Sequence, residues 1–188
     1  MKIYTGSGDG GFSKMFGKMN QPTRKDDPRF EAVGTLDELI AVIGLSLSQA
    51  RRMGDEDIIE TLTVIRDDLF NITSTVVSII CDMKMPSEID ESLPEQMEKR
   101  IDAITASLPE LKGFVLPGGN ELSSRLHLAR TVARRAERAV ISALNPSVDN
   151  PPTAATAVVL KYLNRLSDLL FVLARQADEH LGQLEDAP

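Results

Sequence analysis

Ionisable side chains recur at helical spacing in His127-Leu-Ala-Arg-Thr-Val-Ala-Arg-Arg-Ala-Glu-Arg138. At about 100° per residue, His127, Arg130, Arg134, Glu137 and Arg138 fall within roughly a third of a helix circumference. Leu126, Ala129, Ala133, Ala136 and Val140 form an apolar stripe alongside. Cations beside a core-facing seam, with one carboxylate among them, are what an enclosed polyphosphate site requires, so a nucleoside triphosphate is the first ligand to consider. The plainer reading, a solvated face, is the usual reason for charge on a helix. It is weakened here by the adjoining seam and by scarce acids, since Glu137 is the only one between Leu122 and Leu144.

Two further segments carry candidate chemistry. Tyr4-Thr-Gly-Ser-Gly-Asp-Gly-Gly-Phe-Ser-Lys14 is dense in glycine and ends on a hydroxyl and a lysine. Glycines let backbone N–H groups turn inward around phosphate oxygens, and Lys14 or Lys18 would add charge. Gly6-x-Gly8-x-x-Gly11 matches a dinucleotide fingerprint only formally, because no strand–helix unit surrounds it. Gly11 to Lys18 departs from a P-loop by its glycine spacing and by Met19 where a hydroxyl belongs. A flexible tail is the bland alternative for the whole stretch. The other segment, Lys161-Tyr-Leu-Asn-Arg-Leu-Ser-Asp168, sets Asn164, Arg165 and Asp168 into an apolar helix. Such groups must pair with each other or serve a ligand, and an internal Arg–Asp network is an equal alternative. Asp37 and Glu38, in what reads as a first helical turn, also suit the helix dipole.

The elements that must hold these groups are helical. Leu36, Ile40, Ile43, Leu47 and Ala50 step by four and three, as do Ile58, Leu62, Ile65, Leu69, Ile72, Val76 and Ile79. Met97, Ile101, Ile104 and Leu108 repeat the spacing, then Leu122 through Val140, then Val159, Leu163, Leu166, Leu170, Leu173 and Ala177. Thr35 with Glu38 and Ser92 with Glu95 read as capping boxes, Asn120 as an N-cap, and Asn150-Pro-Pro152 as the opening of the last helix. Breaks fall at Met53-Gly-Asp55, Met83 to Leu93, Pro109 to Gly119 and Asn145 to Pro152. No segment alternates convincingly with period two. The expectation is an all-α, five-helix bundle forming one domain over 1–188, with an irregular arm over 1–33 and the bundle over 34–182.

Composition narrows the function classes. The 188 residues suffice for one sizeable core, and a net charge of -7 argues against broad nucleic-acid binding. One cysteine, Cys81, excludes an intrachain disulfide. No apolar run reaches bilayer length and the first residues lack a secretory h-region, so no membrane association and a cytoplasmic location are expected. No HExxH or Cys/His cluster is present, so no tightly held metal is expected.

Together the residues resemble the PduO-type ATP:cob(I)alamin adenosyltransferases. The resemblance rests on Tyr4-Thr-Gly-Ser-Gly-Asp-Gly-Gly, Asp26-Asp-Pro-Arg29, Gly34-Thr-Leu-Asp-Glu-Leu39 and Phe114-Val-Leu-Pro-Gly-Gly119. It continues through His127-Leu-Ala-Arg130, Arg134-Arg-Ala-Glu-Arg138 and Tyr162-Leu-Asn-Arg-Leu-Ser-Asp168, in family order over nearly the whole chain. It implies an up-and-down bundle of the ferritin-like kind, assembled as a homotrimer with ATP between subunits. The enzyme would move the 5′-deoxyadenosyl group of ATP onto the cobalt of cob(I)alamin and release triphosphate. The arm residues implied to hold the nucleotide are Thr5, Gly6, Ser7, Gly8, Asp9, Ser13 and Lys14, with Lys25 beyond them. Arg130, Arg134 and Arg138 would contact phosphates, Glu137 would act through Mg²⁺ or water, and Asn164 would reach the nucleotide. Asp37 would pair with Arg130 at the subunit boundary, Phe114 would occupy the lower face of the corrin, and His127 would orient a neighbour. A flavoprotein reductase and an adenosylcobalamin-dependent enzyme are implied partners. A corrinoid carrier without turnover is the alternative that the same residues would serve. Gly6, Phe12 and Ile40 depart from the family pattern and imply altered ligand binding with the chemistry retained.

Overall fold

Asp27-Pro28 starts the first long helix. The Asp27 carboxylate accepts from the Arg29 N–H at 3.0 Å, and Pro28 supplies a preset φ in the first turn. The resulting helix α1 spans Pro28–Met53, and α2 (Glu56–Ile80), α3 (Leu93–Ser107), α4 (Glu121–Leu144) and α5 (Ala154–Glu179) follow it. This computed structural model describes residues 3–4, 6–84, 89–111, 113–147, 149 and 151–182. The five expected helices are present, and the seam residues of α4 and α5 from Leu122 to Ala177 are buried in one core with those of α1 and α2.

Long-range contacts fix the directions. His180 Nδ1 lies 2.7 Å from the Asp55 carboxylate, which joins the end of α5 to the start of α2. Asn120 Nδ2 donates at 2.9 Å to the Ala177 carbonyl, joining the start of α4 to the end of α5. Arg165 bonds to Glu98 and Arg175 to the Pro109 carbonyl, so α3 runs alongside α5 in the same sense. Helices α1, α3 and α5 therefore run one way, and α2 and α4 the other. One end of the bundle holds the start of α1 and the end of α2, and the arm is clasped there. Lys18 N–H donates to the Cys81 carbonyl at 3.0 Å, and Lys18 forms an ion pair with Asp82. Gly17 has φ +55, and a Cβ on it would stand 2.5 Å from the Cys81 carbonyl oxygen, so only glycine permits this crossing.

Several expected boundaries move. Thr35 caps nothing: it is buried inside α1, and its hydroxyl donates to the Glu31 carbonyl at 2.8 Å. Pro28 to Val33 thus belong to the bundle and not to the arm. Their only fully buried apolar residue is the small Ala32, which left the seam hard to see. Ser92 occupies the N-cap position of α3 without a side-chain cap, because its hydroxyl donates to the Asp90 carboxylate at 2.7 Å. The cap of α5 is Thr153, whose hydroxyl accepts from the Thr156 N–H; Asn150 lies outside the described residues. The arm contains β1 (Phe12–Ser13) paired antiparallel with β2 (Thr23–Arg24), and a 3-10 turn at Gly17–Met19. Strands of two residues are too short to show alternation.

Candidate functional site

The α4–α5 seam builds the best-defined polar cluster. Asn164 Nδ2 donates to Glu137 Oε1 at 3.0 Å across the two helices. Arg165 donates through Nη1 to Asn164 Oδ1 at 3.0 Å and through Nε to Glu98 Oε1 at 2.8 Å. Because the guanidinium can only donate, the Asn164 oxygen must face it, and the amide nitrogen is left for Glu137. Arg165, helped by Lys161 at 3.5 Å, holds the Glu98 carboxyl below the ordinary carboxylate range. The expected contact of Arg165 with Asp168 is present at 3.5 Å but is secondary to Glu98, which sequence reasoning missed because it lies on a different helix.

The α4 stripe grades from buried to exposed. His127 is buried, makes no hydrogen bond with either ring nitrogen, and packs edge-on to Phe171 with ring centroids 6.1 Å apart. Burial, aided by Arg130, lowers its pKa to about 4, so it is neutral near pH 7. The expectation that it orients a neighbour is therefore not met within the chain. Arg130 is half-buried with a buried, unpartnered Nε. Arg134 is exposed and has no acid partner among the described residues. Arg138 donates to the Arg134 carbonyl at 3.0 Å. Asp37 is exposed and does not meet Arg130 within the chain; its neighbour Glu38 instead forms an ion pair with Arg135.

The arm supplies the second cationic surface. Gly6 and Gly8 carbonyls accept from the Asp9 and Gly11 N–H groups, both at 3.3 Å, forming two successive turns. Lys25 N–H donates to the Gly11 carbonyl at 3.0 Å, and its ammonium lies over Gly8, 2.9 Å from where a Cβ would be. Gly6, Ser7, Gly8, Asp9 and Lys25 are thereby gathered at one loop, with Ser13 half-buried on β1 and Lys14 exposed beside it. Thr5 lies outside the described residues. Lys14 and Lys25 have no acid partner among the described residues.

Phe114 stands apart from both. It is 89% exposed on the connection between α3 and α4. That connection is held at the end of the bundle opposite to the arm clasp. Leu116 on the same connection is exposed as well, so the connection presents apolar side chains to solvent. Among the described residues no cluster of three or more His, Cys, Asp or Glu side chains could hold a metal ion, and no helix is long and apolar enough to cross a membrane.

Comparison with known proteins shows the family. The family model for cobalamin adenosyltransferase matches residues 3–177. The corrinoid adenosyltransferase of Bacillus subtilis is 43% identical over 183 residues, covering 97% of this chain and 89% of the relative. The human corrinoid adenosyltransferase is 40% identical over 187 residues, covering 98% of this chain and 72% of the relative. A PduO-type ATP:corrinoid adenosyltransferase from Lactobacillus reuteri, solved as a phenylalanine-to-histidine variant complexed with cobalamin and ATP, superposes with a TM-score of 0.85. It is 31% identical and covers 100% of this chain and 96% of its own. An arginine-to-lysine variant of that enzyme complexed with ATP superposes with a TM-score of 0.83 at 31% identity, covering 99% of each chain. The chain belongs to the PduO-type ATP:corrinoid adenosyltransferases.

Proposed function

We propose that ATP binds between two copies of this chain in a homotrimer, gripped by the arm of one copy and by α4 of the next. The observation that carries this reading is the surplus of cations. Among the described residues, Arg130 and Arg134 on α4 and Lys14 and Lys25 on the arm have no acid partner. Asp37 fits the same picture: an exposed acid of α1 without a partner among the described residues is available to Arg130 of a neighbouring copy. Leu45 on α1 and Leu128 on α4 are each 51% exposed and supply apolar surface for that boundary.

The chemistry assigned to the site is an in-line displacement. Cobalt of cob(I)alamin attacks C5′ of ATP, the Co–C bond forms, and the C5′–O bond breaks with its electron pair leaving on triphosphate. The nucleophile needs no general base. The protein's task is to hold C5′ over the cobalt and to stabilise charge on the departing triphosphate, which falls to Arg130, Arg134, Lys14, Lys25 and the N–H groups of Gly6 to Asp9. Arg138 borders the same face. Glu137 fits a Mg²⁺ carried by the phosphates. It is half-buried, and Asn164 occupies Oε1 only, while Mg²⁺ characteristically takes one or two carboxylates and keeps its waters. Mg²⁺ would there screen the triphosphate. Asn164, fixed by Arg165, holds the carboxylate in register.

Phe114 is assigned the lower face of the corrin, where its ring excludes water and the dimethylbenzimidazole base. A four-coordinate cobalt accepts an electron more readily, which eases formation of the Co(I) nucleophile. The electron comes from a flavoprotein reductase, and the product passes to an adenosylcobalamin-dependent enzyme, with the whole sequence in the cytoplasm. The test is anaerobic incubation with chemically reduced cobalamin, ATP and Mg²⁺. A light-sensitive alkylcobalamin spectrum with equimolar triphosphate is expected from the wild type. Arg134→Ala is expected to abolish both while the unfolding midpoint stays put. Full turnover in Arg134→Ala would remove α4 from the site.

A further inference from the structure

Both ends of the Phe114 connection are fastened to the same two turns of α5. At its start, the Pro109 carbonyl accepts from Arg175 Nη2 at 2.6 Å. At its finish, Asn120 Nδ2 donates to the Ala177 carbonyl and to the Asp178 carboxylate, both at 2.9 Å. Arg175 and Asp178 are 5% and 2% exposed, while Phe114, Leu116 and Pro117 between the fastenings are exposed. Burying an arginine is costly, and here the cost is incomplete in its return, because Arg175 Nε is buried with no partner. The guanidinium supplies a hydrogen bond to one backbone carbonyl at the foot of this connection.

We infer that Arg175, Asp178 and Asn120 are positioning residues for corrinoid binding: they form a two-point clamp that sets where the Phe114 ring stands. The inference rests on the assignment of Phe114 to the corrin face and adds to it the residues that fix the ring's height and angle. A loop whose ends are set by buried, charge-assisted hydrogen bonds loses less conformational entropy when the ligand arrives. The clamp lies at the end of the bundle away from the arm clasp, so it acts on the corrinoid half of the reaction and not on the grip on ATP.

Asn120 gives a selective way to open the clamp. Its Oδ1 caps α4 by accepting from the Ser123 N–H at 2.9 Å, a role that aspartate performs equally well. Asn120→Asp keeps the cap but removes the donor and sets a carboxylate against Asp178. Adding Asp178→Asn restores the hydrogen bond to position 178 with donor and acceptor exchanged, while the Ala177 carbonyl stays without its donor. Steady-state kinetics on the full-length enzyme with reduced cobalamin and ATP are the readout. N120D is expected to raise KM for cobalamin about tenfold with KM for ATP within about twofold, and N120D/D178N to recover part of the loss. In a Phe114→Ala background, N120D is expected to add little, since the clamp has no ring left to place. Equal KM values in N120D and wild type would overturn the inference. So would a joint rise of both KM values with a lowered unfolding midpoint and no recovery in the double variant. If Phe114→Ala itself leaves KM for cobalamin unchanged, the assignment of Phe114 fails and the clamp falls with it; if it raises that KM and N120D does not, the clamp alone fails.

Discussion

The two halves of the candidate site are built by opposite means. On α3, α4 and α5, Glu98, Glu137, Asn164 and Arg165 are half-buried, and each is locked by a partner at 2.8–3.0 Å. On the arm and on the connection before α4, the working groups are exposed: Lys14 and Lys25 have no acid partner among the described residues, and Phe114 is 89% exposed. Helices spaced by packed seams hold side chains to a fraction of an ångström without any ligand. Exposed loops are more mobile than the elements that they join. The helical half is therefore organised before substrate arrives, the connection is fastened at its two ends, and the arm lysines are left for substrate to order.

The largest expected effect comes from breaking the helical half. Arg134→Ala is expected to lower kcat/KM by about 100-fold or more, because it removes a cation that acts on the leaving triphosphate and cannot be replaced by water. The kinetic assay with reduced cobalamin checks this, and a loss below about threefold would show that the exposed guanidinium is idle.

A smaller effect sharpens the difference between the halves. Glu98→Gln weakens the anchor of Arg165 without touching the reacting groups, and is expected to cost roughly three- to tenfold in kcat/KM, expressed mainly in kcat. A double-mutant cycle with Asn164→Ala should show that the two losses do not add. Additive losses would mean that Glu98 acts on the fold and not through the amide.

Hydrogen exchange compares the halves directly. Saturating ATP is expected to protect amides of Gly6 to Lys14, while those of α4 and α5 change little. Equal protection of both regions would erase the distinction.

The mildest prediction concerns stability alone. His127 titrates at about 4 when folded, well below the ordinary imidazole value, because burial disfavours its charged form. The unfolded chain then binds the extra proton between about pH 6.5 and 4, so stability is full above that window and falls as pH drops through it. Asp27, lowered to about 2 chiefly by its hydrogen bonds with Arg29, loses its contribution only at lower pH. Unfolding midpoints measured from pH 7 to 4.5 should fall less steeply in His127→Gln than in the wild type. Parallel slopes would contradict the buried neutral imidazole.

How much of this was legible in the sequence follows the range of each interaction. The seams, the Asn120 cap and the charge stripe are local, set by residues three or four apart, and they were readable. Glu98 lies 67 residues from Arg165, and Arg175 lies 66 from Pro109; no spacing rule connects them. The start of α1 was misplaced for a related reason. Thr35-x-x-Glu38 matches a capping box in composition, yet Asp27-Pro28 initiates the helix earlier, and a threonine inside a helix simply turns its hydroxyl onto the carbonyl four residues back. Arg135 was passed over because it lies off the stripe, and its partner Glu38 comes from a helix 97 residues away in sequence.

The central claim is that one chain's arm and another chain's α4 make one site. The most direct measurement mixes two variants, Lys14→Ala and Arg134→Ala, each inactive or nearly so alone, by co-expression or joint refolding, and assays the assembled protein. If the halves come from different subunits, random assembly restores about one-quarter of the wild-type sites, because that fraction of boundaries pairs an intact arm with an intact α4. Activity no greater than that of the separate variants would place both halves in one chain and contradict the account.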